Sequence, residues 1–223
     1  MNMQNEEGQA SFSLGRMIEA SESQAKYRGL TGSTMRREVD IRRAAWWRVR
    51  GLQNASHTLP FLGTLCLSAL TAMMGFRNPD SIPFWIFILP LITVVWAVIA
   101  AFGCRRAWGM ARIARLQPSV HVRYVLLHSY ASEAPWLVFF PRSGGDEVEP
   151  MGALALKYGP MRDRLRDLPE PIGIAALTGE VSGASVVVPW INDRPVWPAA
   201  SFKEINLSDP RHSRMVSELI RAE

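Results

Sequence analysis

The chain has 223 residues and a net charge of +5, with 25 Lys and Arg against 20 Asp and Glu, 48% apolar residues and two cysteines. Its basicity raises a nucleic-acid reading, which the location of the charge excludes: from Tyr124 to Glu223 there are 10 basic and 13 acidic side chains, so the excess lies upstream. Cys66 and Cys104 fall in or at the end of apolar runs and read as small apolar residues rather than a disulfide pair.

Residues 1–32 are polar, with few large apolar side chains to offset the entropy of ordering, which predicts a mostly disordered start. In residues 33–57, Met35, Val39, Ala45, Trp46, Val49 and Leu52 alternate with arginines, the pattern of a basic amphipathic helix leading to a membrane.

The apolar residues that follow are concentrated rather than spread. No Asp, Glu, Lys or Arg occurs from Thr58 to Phe76 or from Ser81 to Cys104, runs of about 19 and about 24 residues. A helix crossing a hydrocarbon layer about 30 Å thick needs about 20 such residues. The expectation is an integral membrane α-helical hairpin, with transmembrane helices at 58–76 and 83–104 joined by a short extracytoplasmic loop at 77–82, where Asn78-Pro79 and Asp80-Ser81 favour turns. The first run begins too far along the chain for a signal peptide.

Arginines flank this pair on both sides: Arg36, Arg37, Arg42, Arg43, Arg48 and Arg50 before it, Arg105, Arg106, Arg112 and Arg115 after it. Because Lys and Arg are retained on the cytoplasmic side, both termini are expected in the cytoplasm of a multi-pass protein of the cell membrane. Arg42, Arg43, Trp46, Trp47, Arg48, Arg50, Arg105, Arg106 and Trp108 are the candidate lipid-interface residues. Thr64, Ser68 and Ala72, and Thr93, Ala97 and Ala101, recur every fourth residue and are the candidate helix-packing positions. Neither run contains an ionisable group of the kind transporters and proton relays place at membrane depth, so transport by this chain alone is not expected. Helical periodicity continues through a basic stalk at 105–117 and stops at Gln117-Pro118.

Strand signals begin near Val120. The segments 122–127, 135–140, 173–178 and 185–191 are rich in β-branched and aromatic residues and are separated by turn formers, which predicts a small cytosolic mainly-β domain at 118–207, a barrel or sandwich of α+β type with one short helix at 157–168. Asp209-Pro210 and the stripe Met215, Val216, Leu219 and Ile220 predict a terminal helix within 208–223. Trp190 and Trp197 flank an Asn-Asp turn and form either an aromatic partner surface or the core of a hairpin.

No nucleophile with a base, phosphate loop or metal-ligand spacing is recognisable, and His57, His121, His128 and His212 lack Cys/His partners. The acidic loop Asp146, Glu147 and Glu149 matches no EF-hand register. The expectation is therefore no catalytic, cofactor or metal site, and no nucleic-acid partner. Arginine far exceeds lysine, present only as Lys26, Lys157 and Lys203, which suits a GC-rich bacterial source. The expected function is a noncatalytic bacterial membrane-anchored interaction module, bound to membrane lipids and presenting its β-domain to a protein partner or a second copy. The alternative is an accessory subunit of a larger membrane transport or secretion complex, assembled through its transmembrane helices.

Overall fold

A computed structural model describes residues 12–30, 32–35, 39–53, 58–77, 88–157, 167–183 and 185–221. The chain forms two compact units: residues 39–112 make one, and residues 1–38 together with 113–223 make the other.

The larger unit is α+β. Its seven strands, β1 (Val120–His128), β2 (Pro135–Phe140), β3 (Gly152–Ala155), β4 (Ile172–Thr178), β5 (Val188–Ile191), β6 (Arg194–Pro195) and β7 (Lys203–Glu204), form one antiparallel sheet in the order β6-β5-β4-β1-β2-β3-β7. β1 lies centrally, pairing from Arg123↔Phe140 to His128↔Pro135 with β2 and from Val120↔Leu177 to Val125↔Ile172 with β4. Asn192 and Asp193 both have positive φ (50° and 58°), the two-residue turn that lets Ile191 pair with Arg194.

One chain segment joins the two edges of the sheet. After leaving β6, residues 196–199 turn toward β3, where Lys157 N–H donates to the Trp197 carbonyl (3.0 Å) and Ala199 N–H to that of Ala155 (2.8 Å). Neither edge is thus left as a long open template. Of the expected barrel or sandwich of α+β type, the structure shows one seven-stranded antiparallel sheet with helices, an α+β unit. The short helix expected at 157–168 lies mostly outside the described residues.

Two apolar clusters follow the strands' alternation. Val122, Tyr124 and Leu126 of β1 join Leu137, Phe139, Leu154, Leu177 and Phe202 in one. Val125, Leu127, Val138, Phe140 and Ala153 point the other way and are covered by helices. From Tyr124 to Leu127 β1 is therefore buried on both faces, which is why those four residues read as a continuous apolar run. Phe139 and Phe202 stack at 6.0 Å, and Gly152 opposite them has no room for a side chain because a Cβ would enter the Phe202 ring.

The covering helices come from the two ends of the chain. α1 (Leu14–Tyr27) supplies Leu14 and Met17, and the terminal helix (Pro210–Ile220) supplies Val216 and Leu219. Asp209 caps the terminal helix by accepting from Arg211 N–H at 2.8 Å, with Pro210 in its first turn, as expected. α1 corrects the expectation of a disordered 1–32, although residues 1–11 lie outside the description. Its first N–H groups are satisfied by the acidic loop: Leu14 donates to the Val148 carbonyl (3.1 Å) and Gly15 to that of Asp146 (3.0 Å).

The smaller unit holds α2 (Arg50–Gln53), α3 (Thr58–Arg77) and α4 (Ile88–Ala114), the last two residues of α4 belonging to the other unit. The terminal helix is α5. No helix spans 33–57: residues 39–53 instead form turns, a 3₁₀ turn at Trp46–Arg48 and the single turn of α2, while 36–38 and 54–57 lie outside the description. The Asp40 carboxylate accepts from Arg42 N–H at 3.0 Å, a side-chain turn that competes with helix at the point where the amphipathic pattern begins.

α3 and α4 pack against each other through hydroxyls. The Thr93 hydroxyl lies 2.8 Å from that of Ser68, and is 3.2 Å from the Thr64 carbonyl and 2.9 Å from the Leu89 carbonyl of its own helix. The seam is not quite the expected one. Thr64, Ser68, Thr93 and Ala97 are at least half-covered, but Ala72 and Ala101 are exposed, and Thr71 and Ala100 take their places. At about 100° per residue, seven residues return a helix to within about 20° of the same face, whereas eight overshoot by about 80°. α4 continues without interruption through the basic stalk to Ala114.

Candidate functional site

Two features stand apart from the packing. The first is the surface of α3 and α4. Leu59, Leu70, Met73 and Met74 on α3, and Leu91, Val94, Val98 and Phe102 on α4, are exposed. An apolar surface of this extent is the mark of a membrane or protein contact. α4 is, among the described residues, the one helix long and apolar enough to cross a membrane; the apolar part of α3, Leu59–Met74, is shorter. At about 1.5 Å per residue, the 27 residues of α4 extend about 40 Å.

The expected interface residues lie in the same unit. Arg42, Arg43, Trp47, Arg48, Arg50, Arg105, Arg106 and Trp108 are exposed, and Trp46 is half-buried. Trp46 and Trp47 meet edge to face at 5.9 Å, and the Arg112 guanidinium stands 6.0 Å from the Trp108 ring. By contrast, Trp190 on β5 and Trp197 in the segment after β6 are 6% and 7% exposed, so both are buried and present no aromatic surface.

The second feature is a pocket that sequence reasoning missed, lying where β1 outruns β4. Pairing with β4 ends at Val125↔Ile172, leaving the last residues of β1 without a strand on that side. Side chains of α1 complete the ladder. Ser21 donates to the Leu126 carbonyl (2.7 Å), Gln24 Oε1 accepts from His128 N–H (2.8 Å), and Gln24 Nε2 donates to the Leu219 carbonyl of α5 (2.9 Å). Buried polar side chains thus hold two helices to a strand end.

Beside this junction is a half-open cavity of about 80 Å³ lined by Ser23, Gln24, Tyr27, Arg28, His128, Tyr130 and Arg221. The His128 side chain is buried, the residue being 3% exposed, and neither ring nitrogen has a hydrogen-bond partner among the described residues. Burial, and secondarily the nearby Arg28 charge, push its pKa down to about 4 against the opposing pull of Glu133, so the imidazole is neutral at physiological pH. A neutral imidazole has one donor and one acceptor nitrogen. The remaining lining groups are hydroxyls, an amide and two guanidiniums, with no carboxylate among them. The arrangement suits binding of a polar or anionic group. No group of three or more His, Cys, Asp or Glu side chains placed to hold a metal ion occurs among the described residues.

No protein-family model matches the chain, and no curated protein or solved structure does.

Proposed function

We propose that the chain is a two-pass membrane anchor holding its α+β domain at the cytoplasmic face, where the domain serves a protein partner. One observation carries the two-pass topology: α1, which precedes the helical pair, and the strands and α5, which follow it, are parts of one folded unit. A chain whose two ends meet in one domain crosses a bilayer an even number of times. If α4 spans, α3 therefore spans with it, in spite of its shorter apolar stretch. The exposed aliphatic surface supports lipid as its occupant, and the exposed arginines flanking the pair support a cytoplasmic domain. The membrane flanks and the domain divide the labour, the first fixing location and the second contacting the partner.

The test is thiol accessibility in intact cells. In a full-length background carrying Cys66→Ser and Cys104→Ser, an impermeant maleimide is expected to label Asn78→Cys from outside, and Ser208→Cys only after lysis. Protection of Asn78→Cys in intact cells, with labelling after lysis, would overturn the two-pass reading. Affinity purification of the full chain in mild detergent tests the partner. The isolated residues 118–223 are unsuitable bait, because without α1 they expose part of the apolar face formed by Val125, Leu127, Val138 and Phe140.

A further inference from the structure

We infer that the two flanks of the helical pair select anionic lipid headgroups over zwitterionic ones, an inference that rests on the membrane anchor proposed above and adds the class of lipid it meets. From Val39 to Arg112 the chain carries eight arginines and no lysine, with Asp40 and Asp80 as its acids. Arg77 and Asp80 lie in sequence at the far end of the helical pair and cancel. The other seven arginines lie on the flanks with Asp40, a net charge of +6.

Orientation in the membrane requires only that these charges be present. The structure adds how the side chains around them are sorted. Ahead of α3, Ile41, Val49 and Leu52 are fully buried, while Arg42, Arg43, Arg48 and Arg50 are exposed and Trp47 is 59% exposed. Beyond the apolar run of α4, Ala107, Met110 and Ala111 are buried on one face of the helix. Arg105, Arg106, Trp108 and Arg112 are exposed on the opposite one, Trp108 to 54%. Apart from Val39, the branched aliphatic side chains of both flanks are thus kept inside, and arginine interleaved with tryptophan is presented outside.

That combination fits the headgroup layer. An indole ring lies well at the boundary of hydrocarbon and water, and Trp47 is held there by its edge-to-face contact with the half-buried Trp46. A guanidinium presents a planar fork that matches a phosphate bidentately, which a lysine cannot do. Depth distinguishes lipid from a soluble acidic partner. α4 runs from its apolar segment into Arg105 without a break, so at about 1.5 Å per residue Arg105, Arg106 and Arg112 stand within about 12 Å of the end of that segment. A phosphatidylcholine headgroup carries its own balancing cation, whereas an anionic headgroup leaves its phosphate charge to the arginines. Each arginine held close to an anionic surface strengthens the attraction roughly fivefold, and a single boundary lipid meets only one or two of them, so a preference of roughly five- to tenfold is expected.

The experiment uses the full chain, purified in mild detergent and reconstituted in phosphatidylcholine vesicles with a trace of spin-labelled phosphatidylglycerol or spin-labelled phosphatidylcholine. Electron paramagnetic resonance reads the fraction of each label immobilised at the protein boundary. Phosphatidylglycerol is expected to be favoured roughly five- to tenfold at low salt, and the preference should shrink toward equality near 1 M salt, where screening acts within about 3 Å. Replacing Arg42, Arg43, Arg48 and Arg50 together by glutamine, all at exposed positions, should lower the preference at least twofold. So should Arg105→Gln, Arg106→Gln and Arg112→Gln combined, and Arg142→Gln, exposed on the other unit, should leave it unchanged. Equal immobilisation of the two lipids by the unaltered chain would overturn the inference alone, leaving the arginines to topology or to an acidic protein. A preference that survives both sets of replacements would overturn it as well. No immobilised lipid of either kind would overturn the membrane anchor and the inference with it.

Discussion

Replacing Gln24 by Leu should strip the bridge between both ends of the chain while keeping the helix. Leu is a better helix former than Gln in an apolar setting, so α1 itself is not the casualty. The loss falls on two buried backbone groups, the His128 N–H held at 2.8 Å and the Leu219 carbonyl held at 2.9 Å. Each buried group deprived of its partner costs about 1–3 kcal/mol, and the added apolar burial of Leu returns about 1 kcal/mol. The expected net loss is about 1–5 kcal/mol, a large share of a typical domain stability of about 5–15 kcal/mol. Urea unfolding of the full chain in mild detergent, followed by amide hydrogen exchange over residues 14–27 and 210–220, reads it directly. Exchange in both helices should accelerate together, because one side chain serves both. Glu22→Ala, on the exposed side of α1, is the control and should stay within about 0.5 kcal/mol. If Gln24→Leu were as harmless as the control, or loosened only one helix, the bridge would have no energetic role and the unity of the domain would need another cause.

Other outcomes follow from the same geometry. Thr93→Val removes the hydroxyl that joins Ser68 and Thr64 and should weaken the α3–α4 pair by about 0.6 kcal/mol and at most about 1.7, read as a lowered detergent-unfolding midpoint. Ala100→Leu should overpack that seam at a cost of about 1–3 kcal/mol, whereas Ala101→Leu, one residue on, faces outward and should leave the pair intact. Asp193→Gly should stabilise the β5–β6 hairpin by about 0.5–1 kcal/mol, since the positive φ of 58° there strains a residue with a Cβ; thermal denaturation measures it. The His128 pKa near 4 lies below the 6.5 of an unfolded chain, so between these values the unfolded state binds more protons. The stabilising contribution is complete above pH 6.5 and falls away as the pH drops toward 4, by at most about 3 kcal/mol. His128→Phe should lose that part of the pH dependence when urea midpoints at pH 7.5 and 4.5 are compared.

Much of the architecture is legible because it depends on residues that carry their own signal. α4 is a charge-free apolar run as far as Cys104, and β1, β2 and β4 are rich in branched or aromatic side chains. β3 escapes notice because Gly-Ala-Leu-Ala has little strand propensity; its small residues matter only because Phe202 lies against Gly152. α1 escapes for a related reason. Its buried stripe contains Ser21 and Gln24, which read as solvent-facing until the unpaired end of β1 gives them backbone groups to bind. The packing positions of the helical pair are half legible: the hydroxyl centre at Thr64, Ser68 and Thr93 is visible, but a fixed step of four drifts off the seam by its third member. The His128 pocket leaves no local mark at all, because its residues lie on segments around 23–28, 128–130 and 221 and share no spacing.

The division of the domain between the two ends of the chain also governs how the protein can be made. Synthesis proceeds at about 5–20 residues per second, so α1 leaves the ribosome on the order of ten seconds before the strand end that accepts from Ser21 and longer still before α5. Throughout that interval Leu14 and Met17 have no sheet to cover, and the apolar pair of helices emerges in between. α1 is therefore made before the sheet it covers, and its docking waits until the intervening helices and the strands have been synthesised.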